Sequence, residues 1–427
     1  MLRHLPPSAG TALATKETFQ TLFEVRLSAD QAEQASFALA RGGLGCRRRG
    51  GGCELAAYLG SWALVYHKVV GTLGWRFTAE GNSVMFQQVR EAVDAAALAG
   101  APLASLMTDL SWWDAASRTP VHKVQASLAR AIRARQWDTW LERARPSAAA
   151  RLHTHSGWGS AVALLRCPTE LALRVPDDAV RTAVCERLGL PLCAPGRCGM
   201  RFSSGRHCRH RNRGGAHAHC CPGTIGAHTR FRHNPLVSEF HHFLSLAGRC
   251  VAIEQRDPHM GPHARLDIVE YPGSQGGPAA YDVSVVTAFR KDRTFVAAGA
   301  GEPGYAGRRA HTRKLDEQYV ARLPGARLVP LIVEVGGRWH ESVPPLLRRL
   351  ARAYVARAPG LEALAVGLVV SRWAARLSAA LLRGNAAVLR RAGYSLPPRC
   401  DAEVSHGAPL AHVVPEGPSA YELLVGS

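Results

Sequence analysis

The sequence predicts a mixed α+β protein with a helical N-terminal region, a Cys/His segment that binds metal, an α-β-β-β-α-β core and a helical tail. Hydrophobic residues make up 47% of the 427 residues, which is enough for packed cores and excludes wholesale disorder. The segment 191–228 is poor in apolar residues but dense in Cys and His. After residue 229, helical and extended patterns alternate between loops rich in Pro and Gly.

The N-terminal region is predicted to be mainly helical. Residues 1–70 hold a Gly/Arg-rich turn and then an apolar, helix-like run from Leu55 to Val70. Residues 71–190 form a helical linker, with Arg and Ala at helical spacing around Val121–Ala144. The start of the chain lacks the continuous apolar stretch of a secretory signal, so no signal peptide is expected.

Residues 359–427 are expected to form a helical tail followed by a loose C-terminus. The longest apolar stretch of the chain, Leu361 to Leu382, lies in this tail. Arg372 and Arg376 interrupt it, and its apolar residues recur at helical spacing. We therefore expect a packed amphipathic helix here and no membrane span.

The chain is strongly basic. Its 53 Lys and Arg residues against 33 Asp and Glu residues give a formal net charge of +20. Such an excess favours a polyanionic partner, nucleic acid first. Heavy use of Ala, Arg and Gly in a GC-rich genome would produce the same excess, so the charge alone does not decide the partner.

Residues 191–228 are predicted to form a zinc site. Five of the eleven Cys residues crowd this segment beside His residues, which is typical of a metal site and not of a disulfide framework. Zinc takes four N or S ligands, commonly two from each of two short chain segments. The preferred ligands are Cys193, Cys198, His217 and Cys221. Cys208 and Cys220 remain alternative ligands.

The loop between these paired ligands is rich in Arg, so folding it around a metal would present a basic surface. Arg209 and Arg211 are therefore predicted to contact nucleic acid. The alternative interpretation is an unstructured linker in which the Cys residues are incidental.

The region 229–358 is predicted to follow the order α-β-β-β-α-β. Apolar residues recur at helical spacing from Asn234 to Ala247, and Gly248 then ends the helix. A second helix is expected at Arg308–Arg322, and a helix after the last strand at Val343–Arg357. The predicted strands are Cys250–Gln255, Ala264–Tyr271, Tyr281–Thr287 and Arg327–Val335.

Two carboxylates lie on neighbouring strands of this predicted core. Asp267 lies in ARLDIVEY and Asp282 in YDVSVV, so a hairpin would bring both to one edge of the sheet. Phosphodiester hydrolysis needs a hard divalent cation held by carboxylate oxygens, and the pair therefore predicts a catalytic Mg²⁺ site. Lys314 on the next helix can stabilise the transition state. Tyr319 is expected to reach the same cleft.

Other acidic residues of the core leave alternatives open. Glu239, Glu254 and Glu270 are further candidate ligands for the cation. An Asp in a short strand is more often an edge residue or a turn partner than a metal ligand, so a purely structural role for the acidic pair is the competing interpretation.

A series of motifs resembles, in its order, the C-terminal part of non-LTR retrotransposon polyproteins. The resemblance covers most of residues 40–350. The motifs are Gly42-Gly43-Leu44-Gly45, Ala56-Ala57-Tyr58-Leu59, Cys193…Cys198-Gly199…His217…Cys221, Arg232-His233-Asn234, Arg265-Leu266-Asp267-Ile268, Asp282-Val283-Ser284-Val285, Lys314-Leu315…Tyr319, and Leu328-Val329-Pro330 with Glu334 and Gly336.

The resemblance implies a zinc knuckle at 191–228, a restriction-enzyme-like endonuclease core of the PD-(D/E)XK fold at 229–358, and a remnant of the region after the reverse transcriptase thumb at 1–70. Asp267 and Asp282 would then be the metal carboxylates, and Lys314 and Tyr319 the Lys and Tyr of the downstream helix. Arg232 and His233 would match a basic, nucleic-acid-binding element before the first helix.

The family also implies metal-dependent nicking of a DNA target for target-primed reverse transcription. The expected partners are DNA and, secondarily, the RNA of the element, with no membrane partner; the expected location is the nucleus, otherwise the cytoplasm. The sequence does not predict an oligomeric state.

The sequence departs from the family pattern at several positions. Leu266 stands where Pro usually precedes the first Asp, and Ser284 stands where the wider superfamily often has Lys. Ala216 replaces the acid before the knuckle His, and no Tyr-x-Asp-Asp polymerase motif occurs. The chain is therefore expected to be a fragment without a polymerase or an eroded copy. The alternative is that the chain is a relic that binds nucleic acid in a zinc-dependent manner and has no catalytic activity.

Overall fold

A computed structural model describes part of the chain. The described residues are 27–45, 121–192, 196–198, 200–202, 204–212, 216–256, 265–271, 279–289, 292–318, 327–357 and 365–394, with short helical pieces between 56 and 98. All of these residues belong to one compact unit that spans 1–396. None of the helices within these ranges has the length and hydropathy required for a membrane crossing.

The described part of the N-terminal region is helical, as predicted; residues 1–26 and most of 46–120, including most of the predicted helix-like run Leu55 to Val70, lie outside the described residues. Its helices are α1 (Ala29–Ser36), α2 (Val121–Arg143), α3 (Pro146–Thr154) and α4 (Asp177–Leu188). Helix α1 begins with a capping box, in which Ser28 and Gln31 exchange side-chain and backbone hydrogen bonds. Helix α4 ends at Gly189, which adopts the left-handed conformation (φ 64°) that glycine tolerates at this position.

A two-stranded hairpin and a series of tight helical turns follow. Strands β1 (Gly196–Arg197) and β2 (Arg211–Asn212) pair antiparallel. Two 3₁₀ turns and one α turn then lead into a π-helical segment, His228–His233, which continues directly into helix α5 (Asn234–Leu246).

The next region contains the predicted α-β-β-β-α-β elements, with one additional helix. Its elements are α5, β3 (Val251–Arg256), β4 (Arg265–Glu270), β5 (Ala279–Val286), α6 (Arg293–Gly301), α7 (Tyr305–Arg313) and β6 (Arg327–Glu334). The sheet order is β3-β4-β5-β6, in which the first two pairs are antiparallel and the β5–β6 pair is parallel. The mixed α/β class of the prediction is confirmed.

Two details of this region differ from the prediction. Helix α6 was not predicted, because its sequence is rich in Gly and Ala, which carry little helical apolar periodicity. The helix expected at Arg308–Arg322 instead starts at Tyr305 and changes at Lys314 into a second π-helical segment, Lys314–Gln318. Residues 319–326 lie outside the described part of the chain.

One face of the sheet is covered by two layers of helices. Helix α5, helix α8 (Val343–Arg357) and helix α9 (Ala365–Arg391) share a single hydrophobic core with the sheet. Helix α9 packs on α5 and α8, where Trp373 stacks on Phe243 with ring centroids 4.6 Å apart. The apolar stretch of the tail is therefore a packed helix, as predicted.

The opposite face of the sheet carries α7, which packs on β6 and β5. Helix α6 packs between α7 and α3 of the N-terminal region, around the small buried residues Ala150, Ala288 and Ala306. This face also contains the acidic pair.

Candidate functional site

At Asp267 the side chains of strand β4 switch from one face of the sheet to the other. Ile268 points into the main core, yet Leu266, two residues away, packs with Ala280 on the other face of the sheet. Regular strands place residues i and i+2 on the same face, so the alternation is interrupted at Asp267. In register, Asp267 lies opposite Glu254, whose φ of 54° is left-handed and strained for a residue with a side chain.

The Asp267 carboxylate is inserted between strands β4 and β5. Its Oδ2 accepts a hydrogen bond from the backbone N–H of Val283, at 2.7 Å. The paired residues of these two strands begin at Ile268–Tyr281 and end at Glu270–Ala279. The Asp267 carboxylate therefore binds the backbone of β5 just outside this paired stretch. Asp267 is thereby held beside Asp282, the residue before Val283.

Asp282 lies on the face of β5 that carries Ala280, because Tyr281 and Val283 point into the core on the other face. Asp282 is buried, and its carboxylate forms an ion pair with Lys314, whose Nζ donates to Oδ2. The structure therefore brings together three of the four predicted catalytic residues. Tyr319 lies outside the described residues.

Lys314 is buried because it continues the inward-facing stripe of α7. Gly307 and Ala310 on this stripe are buried, and Lys314 lies seven residues after Gly307, on the same side of the helix. At the other end of the stripe, the N–H of Gly307 donates to Oε1 of buried Glu334, at 3.0 Å. Helix α7 is thus anchored on the sheet at both ends, and this fixes the position of the Lys314 ammonium.

His233 contacts the same site, although the sequence assigned it to nucleic acid. Its Nε2 lies 3.1 Å from Oδ2 of Asp267, and its Nδ1 lies 3.1 Å from Oδ1 of Asn234. Burial lowers the pKa of His233, but the hydrogen bond to Asp267 and the charges of Asp267 and Asp282 outweigh this, and the pKa lies above its ordinary value. The contact with Asp267 thus stabilises the imidazolium form relative to a free His.

The site therefore consists of two acids, each paired with a basic side chain from a helical segment. Mg²⁺ takes oxygen ligands and commonly keeps several waters, so two protein carboxylates can suffice when phosphate and water complete the shell. Among the described residues, only the Cys/His group brings three or more potential ligand atoms within 4.8 Å of one another. A divalent cation at Asp267 and Asp282 would depend on such outside ligands.

Two of the three further candidate acids bind other side chains. Glu239 forms an ion pair with Arg376 of α9, at 2.7 Å. Glu270 accepts from the hydroxyl of Tyr281 and pairs with Arg249. Glu254 is exposed and lies opposite Asp267 in the strand register.

The Cys/His segment forms a buried cluster of four potential ligands that could hold a metal, consistent with structural zinc. The members are Cys198, Cys208, His217 and Cys221, whose ligand atoms all lie within 4.8 Å of one another. Three of the four preferred ligands are present. Cys208, an alternative in the sequence analysis, is the fourth member, and Cys193 lies outside the described residues.

Local structure explains why these four residues meet. Cys198 and Cys208 lie diagonally across the β1–β2 hairpin, since Cys198 bonds to His210 and Cys208 bonds to Met200 through the backbone. His217 and Cys221 come from the tight turns that follow. Sγ of Cys208 lies 3.2 Å from Nε2 of His217.

Burial disfavours the thiolate form of two Cys residues of the cluster. It raises the pKa of Cys221 to about 12 and raises that of Cys198. Thiolate ligands would therefore form together with a bound cation, because the cation stabilises the negative sulfur.

Arg232 is not available to nucleic acid, which corrects the prediction. Its side chain is only 2% exposed, and its guanidinium donates to His219 and His228 and to Oδ1 of Asn385. The sequence pattern could not show this, because an Arg beside a His in a polar stretch is usually on the surface. Arg209 is exposed, as a nucleic-acid contact requires, and Arg211 lies in β2.

Comparisons with known proteins give no relative for this chain: no protein-family model matches it, and no curated protein matches it.

Proposed function

We propose that the chain is a retroelement-derived DNA endonuclease module that cuts a phosphodiester bond by divalent-metal-assisted hydrolysis. The observation that carries the proposal is the placement of Asp267 and Asp282 on adjacent strands, with Lys314 bound to Asp282. The element order α-β-β-β-α-α-β, with one helix more than predicted, and the mixed sheet are in keeping with the PD-(D/E)XK fold expected from the resemblance.

Each residue has a distinct part in the proposed reaction. Asp267 and Asp282 hold Mg²⁺, which neutralises phosphate charge and lowers the pKa of a bound water. Val283 and His233 both donate to Oδ2 of Asp267, which leaves Oδ1 for a further ligand. Lys314 shares or leaves the Asp282 carboxylate, and its ammonium then offsets the charge that develops on the phosphate.

Exposed arginines support DNA as the partner. Arg309 and Arg313 lie one turn apart on α7, directly before Lys314, and both are exposed. Arg348 and Arg352 form a similar exposed pair on α8. Cations at such positions bind phosphates with an affinity that falls as salt rises. The RNA of the element is a second polyanion that would fit the same surfaces, and a nuclear location belongs to the same proposal.

The test is a plasmid-nicking assay with Mg²⁺. Asp267→Asn and Asp282→Asn are expected to lower the rate at least about 100-fold, since the cation contributes several kcal/mol to the barrier. Asp316→Asn is the matched control, because Asp316 is an exposed acid two residues after Lys314. Equal cutting by the wild type and both site variants contradicts the proposal.

A second candidate function is a zinc-dependent nucleic-acid-binding relic that no longer cuts. It is favoured by the Lys314 ammonium, which already satisfies the Asp282 carboxylate, and by Leu266 in place of the usual Pro. This candidate predicts salt-sensitive DNA binding that is lost on removal of zinc, with no cutting at any Mg²⁺ concentration.

A further inference from the structure

The two candidate metal sites are joined by one short stretch of chain. The last cluster ligand, Cys221, is followed without a gap by the turns and the π-helical segment that end at His233. His233 contacts Asp267, at 3.1 Å. The geometry of the acidic pair therefore depends on how this stretch is held.

Arg232, the residue before His233, is the principal tie within this stretch. One terminal nitrogen, Nη1, donates to Nδ1 of His219 at 3.0 Å and to Oδ1 of Asn385 at 3.2 Å. The other, Nη2, donates to Nδ1 of His228 at 2.9 Å. His219 lies between the two cluster ligands His217 and Cys221, so Arg232 connects the cluster turn directly to the π-helical segment.

The hydrogen-bond directions are mutually consistent, which indicates a built network. Because Nδ1 of His219 accepts from Arg232, the proton of His219 must be on Nε2, where Glu186 accepts it. His228 likewise accepts at Nδ1 and donates from Nε2 to the carbonyl of Ala218, at 3.0 Å. Burial and the charge of Arg232 lower the pKa of His228 to about 4, so this ring is neutral, as the network requires.

The same network fixes the stretch against the rest of the fold. Asn385 of α9 accepts from Arg232 and donates from Nδ2 to the carbonyl of Val335, directly after β6, at 2.7 Å. Gly384 lets α9 approach closely, since a Cβ there would lie 2.5 Å from the carbonyl oxygen of Phe231. The π-helical segment is thus clamped between the cluster turn and α9.

One side of the cluster turn is held by the fold, since Ala218 is fully buried in a core with α4 and α9 and His219 bonds to Glu186. The other side, which carries the four potential ligands, has little apolar packing. Its local apolar core consists of three cluster Cys residues with Met200 and Phe202 packed against them. A structural zinc contributes about 10–16 kcal/mol to the folding of small metal-bound segments, far more than this core can supply. Loss of the ion would therefore loosen the turn on both sides of His219, at His217 and Cys221, and shift this anchor of Arg232.

We propose that Arg232 is a positioning residue that couples the Cys/His cluster to the acidic pair. With the cluster occupied, Arg232 holds the π-helical segment so that His233 orients Asp267 for a divalent cation. With the cluster empty, Asp267 loses this support, and the acidic pair binds the cation more weakly. The inference rests on the proposed function of Asp267 and Asp282 as cation ligands.

The experiment measures Mn²⁺ binding to the full chain by electron paramagnetic resonance, with zinc content and circular dichroism as folding controls. Mn²⁺ stands in for Mg²⁺ and competes poorly with zinc for thiolates. Arg232→Gln is expected to keep about one zinc per chain and to raise the dissociation constant for Mn²⁺ about 10- to 100-fold, the usual effect of losing an outer-shell partner. Zinc-depleted wild type is expected to show the same loss.

Arg230→Gln is the matched control, because Arg230 lies in the same π-helical segment but is exposed. Its Mn²⁺ affinity is expected to equal that of the wild type. His228→Leu removes one hydrogen-bond acceptor of Arg232 and serves as the second variant if Arg232→Gln does not fold. It is also expected to raise the dissociation constant for Mn²⁺. A folded, zinc-loaded Arg232 or His228 variant with wild-type Mn²⁺ affinity overturns the inference.

Asp267→Asn separates this inference from the proposed function. If it abolishes Mn²⁺ binding while the Arg232 variant does not, only the coupling is wrong. If it leaves Mn²⁺ binding unchanged, the acidic pair is not a cation site, and the proposed function and the coupling both fall.

Discussion

Replacing Lys314 with Met tests the charge balance of the candidate site most directly. Methionine keeps most of the apolar stem of lysine but removes the ammonium that pairs with Asp282. The side chains of both partners are only 10% exposed. The substitution therefore leaves a carboxylate in a largely dry position without this cation.

The size of the effect follows from the two ways in which Asp282 can respond. An uncompensated buried carboxylate typically costs about 3–5 kcal/mol. Asp282 can instead take up a proton, and for an Asp with a reference pKa of about 3.9 this costs about 4 kcal/mol at pH 7. The lower of the two costs applies, so Lys314→Met should lower the free energy of unfolding by about 3–4 kcal/mol at pH 7. Near pH 4 the loss should be small.

Urea unfolding measures this free energy, and a double substitution isolates the charge. Lys314→Met combined with Asp282→Asn removes both charges and should recover most of the lost stability. Arg313→Met is the control, because Arg313 is the exposed basic neighbour on the same helix. Mg²⁺ should also restore Lys314→Met, by about 2.7 kcal/mol at a concentration 100 times its dissociation constant.

Two results would refute this reasoning. One is a loss below about 1 kcal/mol for Lys314→Met at pH 7, which would place the pair in a well-solvated environment. The other is a double variant that is no more stable than Lys314→Met, since the loss would then come from packing and not from the removal of the ammonium beside a buried carboxylate.

Four further predictions follow from other parts of the structure. Burial raises the pKa of Glu334, so ionisation of this carboxyl opposes folding. As the pH rises from about 4.5 to 7, the wild type should therefore lose stability relative to Glu334→Gln. Urea unfolding at each pH measures the difference. At Glu254, where φ is 54°, Gly should be more stable than Ala by about 1 kcal/mol in thermal unfolding, the reverse of the order expected at ordinary strand positions. A zinc chelator should make residues 191–228 sensitive to protease while the sheet stays protected, and equal protection with and without chelator would exclude a structural metal. Removing the exposed Arg309 and Arg313 together should lower the slope of log affinity for duplex DNA against log salt by about 2, without a change in the unfolding midpoint.

The elements of the core were predictable because each carries its own local pattern. Strand Arg327–Glu334 is a continuous apolar run, and helix α5 has apolar residues at helical spacing up to Gly248. Helix α6 was not predicted, because it packs on α3 through Gly299 and small Ala residues, which give no periodic apolar pattern in the sequence. That contact joins segments about 150 residues apart, which a local pattern cannot reveal.

The candidate site was predictable in its acids but not in their partners. Asp267 and Asp282 stand out as acids within apolar strands, and Lys314 as a rare lysine. Nothing local to Arg232 and His233 shows that one is interior and the other faces Asp267. Cys208 lies in the cluster because the hairpin register, set by pairs such as Arg197–Arg211, places it beside Cys198. Ligand spacing along the sequence does not show this register. Contacts between distant segments decide these roles.

Both basic side chains of the candidate site stand at the boundary of a π-helical segment. His233 is the last residue of one such segment, and Lys314 is the first residue of the other. A π turn closes hydrogen bonds over one more residue than an α turn, so it changes which residues face inward where it begins or ends, and it is rarely retained without a functional reason. Each of the two segments thus brings one basic side chain to one carboxylate on the two inner strands, β4 and β5. This arrangement predicts that a divalent cation entering the pair competes with Lys314 for the Asp282 carboxylate, while His233 stays on Oδ2 of Asp267 and orients it.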